Sequence, residues 1–126
     1  MIARLRGTLV EAAAGELIVD VHGVGYRLFV PDSTGRAVPG IGQEVTLHVH
    51  THVREDAIHL YGFASKAELR LFETAVEVSG VGPRLALAIL SHVSVESFVS
   101  AVLSGDERVL TRIPGIGKKT AARILL

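Results

Sequence analysis

The chain contains no cysteine and no tryptophan. Disulfides and thiolate metal sites are therefore excluded, which fits a reducing compartment. There is no run of about 18 apolar residues, the length a membrane-spanning helix requires. The opening residues, MIARLRGTLVE, likewise lack the apolar stretch of a signal peptide. A soluble, cytoplasmic protein without membrane association is predicted. No Gly-x-x-x-x-Gly-Lys-Ser/Thr string occurs, so the chain offers no phosphate loop for hydrolysing ATP by itself. Aromatic rings are scarce, with four Phe and two Tyr, a thin supply for the stacking platforms of a single-strand-binding barrel. Net charge is absent too: 13 basic side chains face 13 acidic ones, which taken alone argues against a nucleic-acid partner.

That balance is uneven along the chain. Residues 1–63 carry five basic and seven acidic side chains, whereas residues 64–126 carry eight and six. From Arg108 onward five bases, Arg108, Arg112, Lys118, Lys119 and Arg123, meet no acid. The positive field is thus local. With 126 residues, 48% of them hydrophobic and 21% charged, the chain has enough apolar material for one ordinary domain or two small ones.

Apolar periodicity changes where the charge does. In Ala3-Arg4-Leu5-Arg6-Gly7-Thr8-Leu9 apolar and polar residues alternate, as in a half-buried strand. Leu17, Val19 and Val21 repeat the pattern, Gly23-Val24-Gly25 supplies a turn, and Tyr26, Leu28 and Val30 mark a third strand. Residues 31–43, rich in Gly, Pro and Ser, read as a connection. Val45, Leu47, Val49 and Val53 line one face of a fourth strand, and a fifth covers residues 57–63 after the polar turn Arg54-Glu55-Asp56. Five short strands without a long helix predict a small closed or half-closed barrel. Beyond Phe63 the spacing is helical: Ser65 and Glu68 have capping-box form, and Leu69, Phe72 and Val76 follow. Further helices are expected from about Pro83 to Ser91, from a Ser94 cap to Gly105, from Asp106 to just before Pro114, and from Gly117 onward. The last meets no Gly, Pro or polar stop before Leu126, so the sequence reads as a fragment of a longer chain. The expected class is α+β in two domains, a five-stranded barrel over 1–63 and an all-α domain over 64–126.

One pattern occurs twice in the helical half. Ser79-Gly80-Val81-Gly82-Pro83-Arg84 and Pro114-Gly115-Ile116-Gly117-Lys118-Lys119 place their first glycines 35 positions apart. A Gly-aliphatic-Gly step permits a tight turn with no Cβ in a ligand's way. The amides of the following helix start are then free to meet an anion. With Arg84, or Lys118 and Lys119, directly behind, that anion is expected to be phosphate, and two hairpins suggest two points on a nucleic-acid backbone. The bland alternative is a tight inter-helical turn. A third copy shows why context matters: Pro39-Gly40-Ile41-Gly42 repeats Pro114-Gly115-Ile116-Gly117 letter for letter, yet Gln43-Glu44 and a strand follow, and it reads as a turn only.

The paired hairpins look like tandem helix-hairpin-helix motifs, a unit that grips DNA without reading its sequence. The whole chain resembles the two N-terminal domains of the RuvA family, the bacterial Holliday-junction-binding subunits of a branch-migration machine. The resemblance is carried by MIARLRG at the start, Gly23-Val24-Gly25-Tyr26, Val53-Arg54-Glu55-Asp56-Ala57, Leu60-Tyr61-Gly62-Phe63, residues 79–90 and residues 114–121, in that order. It implies an OB-fold barrel followed by the tandem motifs, and a homotetramer, or an octamer on DNA, on which an open four-way junction lies. It also implies a non-catalytic subunit without cofactor or metal, serving DNA recombination, repair and the SOS response. DNA contacts are implied for Ser79, Gly80, Val81, Gly82, Arg84, Gly115, Ile116, Gly117, Lys118, Lys119, Thr120 and Arg123. ATP hydrolysis falls to a hexameric partner, RuvB, docked through a further domain expected after Leu126, and a RuvC resolvase is another candidate partner.

Glu55 and Asp56 read by themselves as solvated acids of a hairpin turn. The resemblance gives them a role, an acidic pin whose carboxylates repel phosphates, hold the crossover open and limit binding of ordinary duplex. His48, His50 and His52 point to one strand face; a chelate is conceivable there, but no carboxylate or cysteine completes a ligand set, and a solvated sheet face explains them as well. His59 and His92 read as structural.

The rival reading is an enzyme. Pro114-Gly115-Ile116-Gly117-Lys118-Lys119-Thr120-Ala121 is also similar to the hairpin of helix-hairpin-helix DNA glycosylases, in which a lysine at the position of Lys119 attacks the sugar. That chemistry requires an aspartate well downstream, which this sequence does not reach, and the β-rich half and the first hairpin fit that family poorly.

Overall fold

The alternating residues of the N-terminal half close into a barrel. In the computed structural model, which describes residues 1–126, five strands form: β1 (Arg4–Ala13), β2 (Glu16–Val21), β3 (Val24–Phe29), β4 (Glu44–Val53) and β5 (Ile58–Phe63). They are hydrogen-bonded in the order β1-β2-β3-β5-β4, with β4 paired back to β1, so no sheet edge is left open. All neighbours are antiparallel except β3 and β5. One side chain in two points inward: Leu5 and Leu9 from β1, Leu17 and Val19 from β2, Leu28 from β3, and Val45, Leu47 and Val49 from β4 make the core with Val30 and Leu60. Burying each such side chain is worth about 2 kcal/mol. Val53, expected on the same face, is exposed because β4 outruns the core there.

Two details differ from the sequence expectation. The β2–β3 turn is His22-Gly23, not Gly23-Val24-Gly25, since Val24 and Gly25 already pair with Val21 and Asp20. His22 and Gly23 have φ of 51° and 90°, as a two-residue hairpin of the type that matches strand twist demands. The Asp20 carboxylate steadies it by accepting the Gly23 N–H at 2.9 Å. Residues 31–43 are likewise more than a connection: they contain a short helix, α1 (Asp32–Ala37). Its buried Thr34 hydroxyl accepts the Ala64 N–H at 3.1 Å, and Ser33 donates to Glu68 at 2.6 Å, tying α1 to the chain leaving β5.

The helices that follow are α2 (Lys66–Ala75), α3 (Pro83–His92), α4 (Val95–Ser104), α5 (Glu107–Thr111) and α6 (Lys118–Leu125). The chain forms two compact units, Met1–Leu69 and Arg70–Leu126, so the division falls within α2. Ser65 accepts the Glu68 N–H and donates to its carboxylate, as the capping pattern required. Ser94 caps α4 through the Ser97 N–H, Gly105 ends it in the left-handed region, and Asp106 caps α5. Val81, Ala86, Ile89, Leu90, Phe98, Ala101, Leu110, Ile113, Ile116 and Ala121 are buried in this unit. No single helix is long and apolar enough to cross a membrane.

Candidate nucleic-acid interface

The two hairpins repeat one backbone geometry. Val81 N–H donates to Val78 O at 3.0 Å, and Ile116 N–H to Ile113 O at 3.0 Å. Gly80 and Gly115 take φ of 89° and 94°, a region closed to most other residues. The residue between the glycines is an anchor: Val81 and Ile116 are 5% and 4% exposed. Gly82 and Gly117 are extended N-caps of α3 and α6, and their carbonyls accept from Ala86 and Ala121 at 3.0 and 2.9 Å. Both alanines are buried, which seats each helix start against the core.

What these helix starts lack is a side-chain cap. Ser94 and Asp106 satisfy the first turns of α4 and α5, whereas Gly82 and Gly117 have no side-chain oxygen to offer α3 and α6. The first-turn N–H groups of those two helices are left for an external acceptor, and the helix dipole favours an anion there. Cations stand beside them. Arg84, Lys118, Lys119 and Arg123 are exposed, as are Ser79, Gly80, Gly82, Gly115 and Gly117, while Thr120 is half-buried. The side chains of Val81 and Ile116 face inward, so those residues present only main chain outward.

The hairpins also lie against each other. Arg123, from α6, donates Nη1–H to the Ser79 carbonyl at 3.5 Å. A Cβ placed on Gly80 would come within 2.9 Å of the same Nη1, and one on Gly115 within 2.9 Å of Leu85 Cδ1, from α3. Motif spacing carries no sign of this crossing, because it depends on how two distant helices pack.

Glu55 and Asp56 belong to the barrel unit. Val53 and Ile58 make the last β4–β5 pair, and Arg54 N–H donates to Ala57 O at 2.8 Å, closing a four-residue turn. Both carboxylates are exposed at its tip. The histidines are organised more than a solvated face would require. His50 stands opposite Tyr61 and His52 opposite His59 across β4–β5. With Phe29 of β3 these rings pack at centroid distances of 5.4 to 6.5 Å. Desolvation by burial lowers the pKa of His52, and the neighbouring His50, Arg54 and His59 lower it further. No group of three His, Cys, Asp or Glu side chains is arranged to hold a metal ion. His92 lies at the end of α3 with Nδ1 2.8 Å from the Ala88 carbonyl.

Comparison with known proteins follows the same two-part plan. Residues 1–62 match the family described as RuvA N terminal domain, and residues 72–126 match the SAM-like Helix-hairpin-helix tandem. The chain is 52% identical over its whole length to the Holliday junction branch migration complex subunit RuvA of Pseudomonas entomophila (strain L48), covering 62% of that protein. The same identity holds for its counterpart in Stutzerimonas stutzeri (strain A1501), of which 63% is covered. In Dehalococcoides mccartyi (strain CBDB1) the identity is 47% and the coverage 65%. The chain thus spans less than two thirds of the length of these relatives.

Proposed function

The chain belongs to the RuvA family, and from that premise we propose that it binds four-way DNA junctions as the non-catalytic subunit of a branch-migration complex. The observation that carries the proposal is the pair of uncapped, glycine-framed helix starts, alike in backbone and flanked by exposed cations. Each offers a phosphate what a nucleic-acid grip needs: fixed N–H donors, a favourable dipole and counter-charge. Lysines such as Lys118 and Lys119 act as mobile point charges on a backbone, whereas Arg84 can make forked contacts. None of this reads base edges, so recognition is of structure rather than sequence.

Shape preference then has to come from another part of the molecule. We assign it to Glu55 and Asp56, whose exposed carboxylates repel phosphate and disfavour continuous duplex. Four copies in a tetramer would ring the open crossover. We further assign ATP hydrolysis to a partner motor, RuvB, a reading with which the lack of a phosphate-loop string in these 126 residues is consistent.

A gel-shift comparison of a synthetic four-way junction with linear duplex of the same arm sequence, at fixed salt, tests the proposal. Preference for the junction is expected, and it should shrink in the Glu55→Gln/Asp56→Asn variant through stronger duplex binding. Equal affinity of the unaltered chain for both DNAs would overturn it.

A further inference from the structure

We infer that Arg123, although carried by the helix of the second hairpin, completes the phosphate site of the first. The inference rests on the junction-binding reading above and assigns one cation within it. Taken by sequence neighbourhood, the two hairpins are unequal. The second is followed by Lys118 and Lys119, and both residues keep their N–H groups. The first is followed by Pro83, which has no N–H, and then by a single base, Arg84.

Geometry redresses that inequality. Arg123 stands six residues beyond Gly117, about 9 Å along the helix axis from its own N-terminus at the usual rise per residue. Its head group instead lies over the other hairpin, with Nη1 3.5 Å from the Ser79 carbonyl and 2.9 Å from the place a Gly80 Cβ would take. The contact to Ser79 is long and engages one of five guanidinium N–H donors, leaving others to turn toward an anion beside Gly80 and Gly82. Gly80 therefore serves twice, once for its positive φ and once for the empty space that admits the guanidinium. The reciprocal crossing carries no charge, since Leu85 of α3 approaches Gly115 with a methyl group. The exchange sorts the cations by type: two arginines, Arg84 and Arg123, serve the first hairpin, and two lysines, Lys118 and Lys119, serve the second. Two forked, planar groups compensate there for the amide that Pro83 removes.

The test uses synthetic four-way junctions in which single phosphates are replaced, one at a time, by neutral methylphosphonates. A variant that has lost its partner phosphate becomes indifferent to replacement at that position. Arg123→Ala is expected to weaken junction binding about tenfold, as for loss of a charge-assisted hydrogen bond, and to lower the salt slope by about 1. It should become indifferent at the phosphates that Arg84→Ala ignores, and keep its sensitivity at those of Lys118→Ala and Lys119→Ala. Arg123→Lys should recover part of the affinity and restore that phosphate's signature. Indifference at the lysine phosphates, or an unchanged scan, would overturn the assignment while leaving junction binding in place. If the unaltered chain responded to no phosphate, the junction-binding reading itself would fall, and this inference with it.

Discussion

The same four residues, Pro-Gly-Ile-Gly, occur at positions 39–42 and 114–117 in two different structures. In the helical unit the first glycine, Gly115, holds the positive φ, 94°; in the barrel unit the second, Gly42, holds it, at 92°. Ile116 is 4% exposed and Ile41 65%. Ile116 N–H closes a turn onto Ile113 O, while Gly42 N–H donates at 2.7 Å to Leu9 O and lashes its turn to β1. The tetrapeptide has no conformation of its own. Its isoleucine finds a core in one place and solvent in the other, and a helix or a strand takes over from the second glycine.

The sharpest way to break this contrast is to remove the anchor. Ile116→Ala should cost about 3 kcal/mol of stability, the usual range for emptying a buried aliphatic site. Ile41→Ala should stay within about 0.5 kcal/mol, as surface changes do. Thermal or urea unfolding of the two variants measures both. Similar losses would mean that burial is not what separates the two copies.

Substituting the glycines sharpens the contrast from the backbone side. Gly42→Ala and Gly115→Ala each force a side chain into a left-handed conformation, at a cost of about 1 kcal/mol. A Cβ at Gly42 meets open space, whereas one at Gly115 runs into Leu85 Cδ1 at 2.9 Å, where the hairpins touch. Junction affinity is expected to fall about tenfold in Gly115→Ala, by loss of an aligned amide contact, and to hold in Gly42→Ala. A drop in both would remove the distinction between grip and turn.

These contrasts mark how far the sequence could be read. Alternation in β1, β2 and β4 and the caps at Ser94 and Asp106 were legible because each is set by neighbours a few residues away. Helix α1 was not, because six residues containing Gly35 are too few to show a helical period against a background of turn formers. The β2–β3 turn was placed one residue late at its start and two at its end, since any residue other than glycine is uncommon at positive φ and His22 stands there. Within the candidate site, the Gly-aliphatic-Gly frames and adjacent bases could be found by spacing. The position of Arg123 over Ser79 could not, and neither could the ring cluster of Phe29, His50, His52, His59 and Tyr61, which needs the strand register.

The smallest expected effect is the most discriminating. Replacing Gln43 and Glu44 by lysine gives the barrel copy the sequence Pro-Gly-Ile-Gly-Lys-Lys of the helical one, so charge and glycine pattern become equal at both sites. No second grip should appear. Gly42 N–H is already engaged by Leu9 O, Gln43 O is taken by Leu9 N–H, and residue 44 enters β4 opposite Thr8, so no row of free amides lies behind the new charges. Two lysines without that row are exposed point charges, largely screened beyond about 8 Å at physiological salt. Junction affinity at that salt should change by less than about twofold and the salt slope by less than about 1, where two true phosphate contacts would add nearly 2. A slope that rose by 2 would show that charge alone makes the grip, and the uncapped helix starts at Gly82 and Gly117 would lose their claim to it.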